Sequence, residues 1–367
     1  MKFYNLQALR AIAALLVVLV HMKDAEQKLG GATILGDWTA FGVVGVDLFF
    51  VLSGFVMVFT TESKAGGASD SLSFFYSRVT RIYPIWWLTL TALVIFWMVK
   101  PDLVYSGSYT DPNFVKDYLL IIGDQAPLLA VGWTLIHEMY FYFVFMLILL
   151  LPYGPRFRLY CILAWAGLVM LGSAVLAPKE PNIVSLAFNP LTLEFIIGAL
   201  IAYAWRFTQG RFGWSALSIG LIWGALSCYA YVLAPIDEQV SIVGHADEAI
   251  RVLLFGAPCG LIVYGAVAVE ARKSVSANNP LVAIGDWSYS LYLTHMLTLN
   301  AGAILLRKFS SENLYDNFLI LLILVAVCII VSAICYKFFE QPTTRLFKKL
   351  YTRFRLENDF RILQSYR

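Results

Sequence analysis

The sequence predicts an all-α, polytopic integral membrane protein with about ten transmembrane helices and cytoplasmic N- and C-termini. Three observations predict it. Hydrophobic residues make up 60% of the 367 and charged residues only 14%, where a soluble domain carries roughly 25%. The apolar residues gather into ten segments, near 6–22, 41–60, 83–100, 131–152, 158–176, 186–206, 213–234, 248–269, 287–306 and 317–340. Each runs ~17–24 residues, enough to cross a ~30 Å hydrocarbon core as a helix. With the N-terminus inside, roughly 19 of the 27 Lys and Arg fall on the cytoplasmic side, which is the positive-inside pattern.

The inner set holds Lys2, Arg10, Lys64, Arg78, Arg81, Arg156, Arg158, Arg206, Arg211, Arg272, Lys273, Lys337 and the tail from Arg345 to Arg367. The outer connections are acidic, with Asp24, Glu26, Asp37, Asp102, Asp111, Asp117, Asp237, Glu238, Asp247 and Glu248. One membrane domain is expected over residues 1–345 and a basic cytoplasmic tail over 346–367, lying on the inner leaflet. A net charge of +3 gives no reason to expect a nucleic-acid partner. Cys161, Cys228, Cys259, Cys328 and Cys335 fall inside predicted helices and outside any C-x-x-C pair, so they read as packing residues and not as a metal site.

The first segment, LRAIAALLVVLVHM, follows Lys2 as a signal peptide would. No small-x-small cleavage site follows it, and Lys23, Asp24 and Glu26 come next, so a mature helix is expected. Arg10 and His21 share nearly one face of it, about 16 Å apart along the axis. That face should line a polar cavity, because charge is costly in lipid. His21 has two readings. One is a polar residue at the outer boundary of a short helix; the other is a general base, since imidazole titrates near neutral pH. In the second segment, GVVGVDLFFVLSGF, Gly42, Gly45 and Gly54 predict close helix packing, with Ser53 as a packing residue. Asp47 there is either scaffold or cavity lining.

The inner connection over residues 61–82 starts polar and Gly-rich. Pro84 is expected in the first turn of the third span. Arg78 and Arg81, three apart, share a helical face at the inner mouth. They are either plain topogenic charge or, with Arg10, a clamp for a polyanion. The outer connection over 101–130 holds FVKDYLLII, too short to span, and predicts a re-entrant or surface helix. In the fourth span, WTLIHEMYFYF places Glu138 about two turns from the outer surface, level with Asp47 and His21. A carboxylate there either makes structural hydrogen bonds or orients the imidazole. Trp133 of the same stretch is expected in the cavity wall. Glu194 in the sixth span reads as a buried structural partner. In the ninth, GDWSYSLYLTHM, Ser288, Tyr292 and His295 form one stripe that should face a cavity. Glu340 is expected to pair with an inner arginine, and Pro342 to end the tenth helix.

No P-loop, Rossmann glycine pattern, HExxH or GxSxG is present. The chemistry must come from the scattered membrane residues. Ten helices with buried ionisable groups also suit a proton-coupled transporter or a flippase of a glycan intermediate.

Taken together, LQALRAIAALLVVLVH, GVVGVDLFFVLSGFVM, RVTRIYPIWW, GWTLIHEMYFY, IGDWSYSLYLTH and FFEQP resemble the acyltransferase-3 family of bacterial membrane O-acyltransferases over about residues 4–345. The resemblance implies transfer of an acyl group, often acetyl, from cytoplasmic acyl-coenzyme A to an extracytoplasmic carbohydrate, in the bacterial inner membrane. Coenzyme A is a co-substrate and no metal is implied. The family's basic residue and histidine of the first helix match Arg10 and His21. Its paired arginines before the third helix match Arg78 and Arg81, and its fourth-helix acid matches Glu138. Several members carry a fused hydrolase-like domain. This sequence shows none, which implies the standalone, exopolysaccharide-modifying type, with polysaccharide-assembly machinery as a partner.

Overall fold

Hydrophobic runs this long, with few turn signals inside them, fold as helices because lipid offers the backbone no other hydrogen-bond partners. The computed structural model describes residues 3–101, 112–176, 181–233, 246–270 and 275–365. Among them all regular structure is helical. Lys2, Asp102, Gly107, Asp111, Asp237, Glu238, Arg272, Lys273 and Arg367 lie outside these residues, as do the side chains of Asp247, Arg355 and Arg361.

In chain order the helices are α1 Tyr4–Leu29, α2 Val44–Thr61, α3 Ala68–Val99, α4 Phe114–Leu119, α5 Gly132–Leu150, α6 Pro155–Leu176, α7 Ile183–Ala187, α8 Thr192–Thr208, α9 Gly213–Leu233, α10 Ala246–Arg251, α11 Ala257–Glu270, α12 Pro280–Leu306, α13 Leu314–Cys335 and α14 Gln341–Ser365. Nine runs among the described residues are long and apolar enough to cross a membrane. The expected ten includes α12, which is not among the nine. Buried Ser288, Ser290, Thr294 and His295 make it more polar, although its 27 residues are ample to span.

The spine of the bundle is α1 packed along α12, with α12 in turn against α13. Helix α2 crosses α1 on one side and α8 on the other, while α9 packs on α11 and α3 on α5. Small residues set these distances. A Cβ on Gly54 would collide with the Phe195 carbonyl oxygen, and one on Gly198 would collide with that of Val51. The α2–α8 crossing is therefore backbone against backbone, as the glycines of the second segment predict.

Helix ends are closed by distant side chains. The N–H groups of Tyr4 and Asn5 donate to the Glu270 carboxylate at 2.5 and 3.0 Å, which caps α1 from the end of α11. Arg158 is buried and donates to the carbonyls of Thr61, the last residue of α2, and of Lys64 beyond it, so this basic residue is a cap as well as a topogenic charge. Glu26, read from sequence as an outer-loop acid, is buried and accepts from the N–H groups of Ile34 and Leu35.

Three boundaries differ from the sequence reading. Helix α1 continues two turns past His21, so His21 does not end a short helix. Helix α3 begins at Ala68, not near 83, and Pro84 lies inside it. The polar residues of 68–82 mislead a hydropathy reading, but they extend the span on its cavity side. Pro342 does not end the last helix. A π turn over Tyr336–Glu340 precedes it and α14 continues; the wider turn accommodates a residue with no N–H to give. The FVKDYLLII patch supplies α4, which packs against the middle of α3. Trp86 and Trp87 donate to the Asp117 and Tyr118 carbonyls, each at 2.9 Å.

A Gly54→Val or Gly198→Val variant should lower the thermal midpoint in detergent, with a cost of ~1–3 kcal/mol or more. The control is Gly167→Ala, at a glycine that faces open space, and it should not lower the midpoint.

Candidate active site

The extended α3 carries the key electrostatic feature. Arg78 and Arg81 lie on its buried side, opposite Arg10 of α1, and all three line one cavity of about 110 Å³. On this scale a water needs roughly 10–15 Å³, so the space takes a file of waters or a narrow, flexible chain. Its wall also holds Ser53, Glu138, Tyr142, Thr134, Tyr289 and Tyr292. Three guanidinium groups face one carboxylate in this lining, an excess of positive charge. The Nε of Arg78 is buried without an acceptor among the described residues. Its guanidinium stacks over the rings of Phe74 and Tyr142, each at 5.4 Å. A buried donor of this kind calls for an anionic acceptor. The expected convergence of Arg10, Arg78 and Arg81 is thus present in the structure.

Glu138 is in the cavity but not beside His21. Its Oε1 accepts from the Tyr142 hydroxyl at 2.5 Å and the Ser53 hydroxyl at 3.1 Å. Ser53 and Tyr142 are also 3.0 Å apart. Ser53 is therefore more than packing. Tyr142 went unremarked in the sequence, although its place four residues after Glu138 puts both on one helical face. Glu340 accepts from Ser290 at 2.5 Å and stands within electrostatic reach of Arg81 and Arg10, the inner arginines expected as its partners.

His21 does not line this cavity. Tyr292 is part of its lining; the Tyr292 hydroxyl meets Thr134 at 2.6 Å and its ring packs edge-on to Phe49 at 5.9 Å. Beyond Tyr292 comes His295, ring to ring at 5.9 Å, and beyond His295 comes His21 at 5.2 Å. The His21 side chain is 29% exposed, with its Nδ1 3.7 Å from Asp24. The stripe on α12 divides accordingly: Tyr292 lines the cavity, His295 is buried between it and His21, and Ser288 is buried outside the lining.

Asp47 points to the other face of α2. It is fully buried and holds Arg251 through two bonds, Nε to Oδ1 at 2.9 Å and Nη2 to Oδ2 at 3.0 Å. This supports the scaffold reading over cavity lining. Arg251 itself had a sequence signal, a cation inside an apolar segment that needs a buried acid. Glu194 is fully buried near this pair. Trp133 is not part of the cavity lining; its ring is edge-on to His137 at 5.6 Å and to the lining residue Phe50 at 6.3 Å. All five cysteines are free, and no cluster of metal-ligating side chains occurs among the described residues.

A family model described as an acyltransferase domain matches residues 3–337. The chain belongs to the acyltransferase-3 family. It is a multi-pass membrane acyltransferase. It is 30% identical over 273 residues to the exopolysaccharide production protein ExoZ of Rhizobium meliloti, covering 73% of this chain and 80% of ExoZ. Acyltransferase MdmB of Streptomyces mycarofaciens is 28% identical, with 93% of this chain and 92% of MdmB aligned. The peptidoglycan O-acetyltransferase OatA of Listeria monocytogenes is 22% identical over 92% of this chain, which spans 55% of OatA. No solved structure matches.

In this acyltransferase an Asp47→Ala substitution should cost ~3–5 kcal/mol by stripping the Arg251 guanidinium of its bidentate partner. Detergent melting should show the loss, and adding Arg251→Met should recover most of it.

Proposed function

We propose that this acyltransferase moves an acyl group, in the simplest case acetyl, from cytoplasmic acyl-coenzyme A to a hydroxyl of an extracytoplasmic or lipid-linked polysaccharide in the bacterial inner membrane. The observation that carries the reading is the cavity itself. Arginines from α1 and α3 face it, at the level where α1 enters the bundle, and the same helix carries His21 eleven residues further on.

The donor enters from the arginine end. Its phosphates pair with Arg10, Arg78 and Arg81, where planar guanidinium groups match phosphate oxygens. Its narrow pantetheine arm fits a cavity too small for a nucleotide, and carries the thioester toward Tyr292 and the histidines. The sugar hydroxyl approaches His21 from the opposite end. His21 takes the hydroxyl proton as the oxygen attacks the thioester carbonyl. The carbon–sulfur bond then breaks, the ester leaves with the sugar, and the thiolate recovers the proton from His21. An acyl-histidine relay uses the same atoms in two steps. Glu138 acts within the arginine cavity: bound to Tyr142 and Ser53, it holds the cationic wall in place until phosphate arrives. A closed bundle also keeps water from the thioester. The similarity to ExoZ, an exopolysaccharide production protein, supports a polysaccharide acceptor and a place beside polysaccharide-assembly machinery.

In liposomes supplied with acetyl-coenzyme A and acceptor glycan, His21→Ala should abolish ester formation and thiol release while donor binding survives. Full activity would overturn the reading. Arg78→Ala with Arg81→Ala should raise the KM for the donor by about tenfold or more, since losing charge-assisted hydrogen bonds costs ~1.5–3 kcal/mol; an unchanged KM would return these residues to topogenic charge. A transporter would release no free thiol under either condition.

A further inference from the structure

We propose that His295 is the positioning residue of His21, accepting a hydrogen bond from its ring N–H and thereby fixing which nitrogen is the base. The proposal rests on the reading of His21 as the base.

His295 is fully buried on α12, the helix that packs along α1. Its Nδ1 lies 3.2 Å from the Leu291 carbonyl oxygen, one turn back on the same helix. A carbonyl only accepts, so Nδ1 carries the proton and Nε2 is a bare acceptor. That Nε2 is buried and has no partner among the described residues. An unmet buried acceptor is destabilising unless a donor reaches it.

The neighbours narrow the choice of donor. Tyr292 is 5.9 Å away ring to ring, but its hydroxyl is engaged with Thr134 at 2.6 Å and lies 3.3 Å from the Val131 carbonyl. His21 is nearer, at 5.2 Å with the rings tilted by 41°. A neutral imidazole has one N–H to give. Asp24 stands 3.7 Å from His21 Nδ1, too far for a hydrogen bond, and is itself largely exposed. No hydrogen bond joins the two rings in the structure; the donor assigned to His295 is the Nε2–H of His21, brought onto the bare Nε2 by a turn of the partly exposed His21 ring, which leaves Nδ1 of His21 bare. The hydroxyl proton passes to Nδ1, where Asp24 steadies the imidazolium, and returns from Nδ1 to the departing thiolate. His295 neither gains nor loses a proton. Its burial keeps water from competing for the bond, and the partial exposure of His21 leaves the other edge of that ring open to the acceptor.

The test compares His295→Phe, His295→Gln and His21→Ala in reconstituted full-length protein, reading kcat, donor KM and donor binding. Gln keeps an acceptor for the His21 N–H; Phe does not. His295→Phe should lower kcat by about 10²-fold or more, with donor KM within about twofold, and His295→Gln should stay within about tenfold of the parent. In the His21→Ala background, His295→Phe should change the residual rate no further, because a residue that acts only through His21 has nothing left to act on. Near-parental kcat in His295→Phe would overturn the proposal while leaving the His21 reading intact. Equal loss in the Phe and Gln variants would assign His295 to packing and overturn it too. Where the Phe variant fails to bind donor, the Gln variant decides, and its inactivity overturns the proposal. Full activity in His21→Ala would remove the underlying reading and this one with it.

Discussion

Arg10, Arg78 and Arg81 must be kept inside a bilayer without being left in hydrocarbon, and that constraint shapes the bundle. Each guanidinium is costly there unless it meets water, a carboxylate or a ligand. The protein meets the cost by gathering all three around one cavity with Glu138 in its wall and Glu340 close by. Helix α3 has to begin well before its apolar stretch so that Arg78 and Arg81 ride on a helix instead of a loop. Helix α1 has to sit beside α12, whose Tyr289 and Tyr292 complete the wall. The arrangement of the spine follows from the need to house these charges.

The glycine crossing of α2 and α8 serves the same end from the other side. With their backbones nearly touching at Gly54 and Gly198, α2 is held where Ser53 faces the cavity and Asp47 faces away from it. One helix thus separates two buried polar systems: Glu138 with Ser53 and Tyr142 on one face, Asp47 with Arg251 on the other. Mixing the two would place Arg251 in competition with the arginines of the cavity for the same carboxylates.

Much of this is legible in the sequence because its physics is one-dimensional. Hydropathy finds the spans, the three-residue spacing puts Arg78 and Arg81 on one face, and the glycines of the second segment announce close packing. What fails is what depends on neighbours in space. Depth alone puts Asp47, Glu138 and His21 on one level, and the structure gives each a different neighbour: Arg251, Tyr142 and His295. No property of Asp47 in the sequence says which side of α2 faces the cavity. Pro84 and Pro342 mislead for a related reason. A proline disfavours a helix locally, but in a bundle the surrounding helices and a π turn restore what it removes. Helix α12 shows the converse. The polar stripe that sets it apart from the nine more apolar runs is also what marks it as a helix facing other helices and not lipid.

The separation between cavity and imidazole has a chemical logic. Under the proposed mechanism, a continuous water-filled path from the arginines to His21 would let water attack the thioester and would let protons leak across the membrane. Tyr292, bonded to Thr134 and packed on Phe49, lines the cavity and lies 5.9 Å, ring to ring, from His295. A rotation of one tyrosine about χ1 is far cheaper than a movement of helices, and rotamer changes of this kind need no rearrangement of the backbone. Under the proposed mechanism, a donor arm that displaces the Tyr292–Thr134 bond would reach the histidine pair only as the thioester itself fills the space. Under that mechanism the proposed base would meet the donor as water is excluded, using side chains that the α12 stripe already brings together.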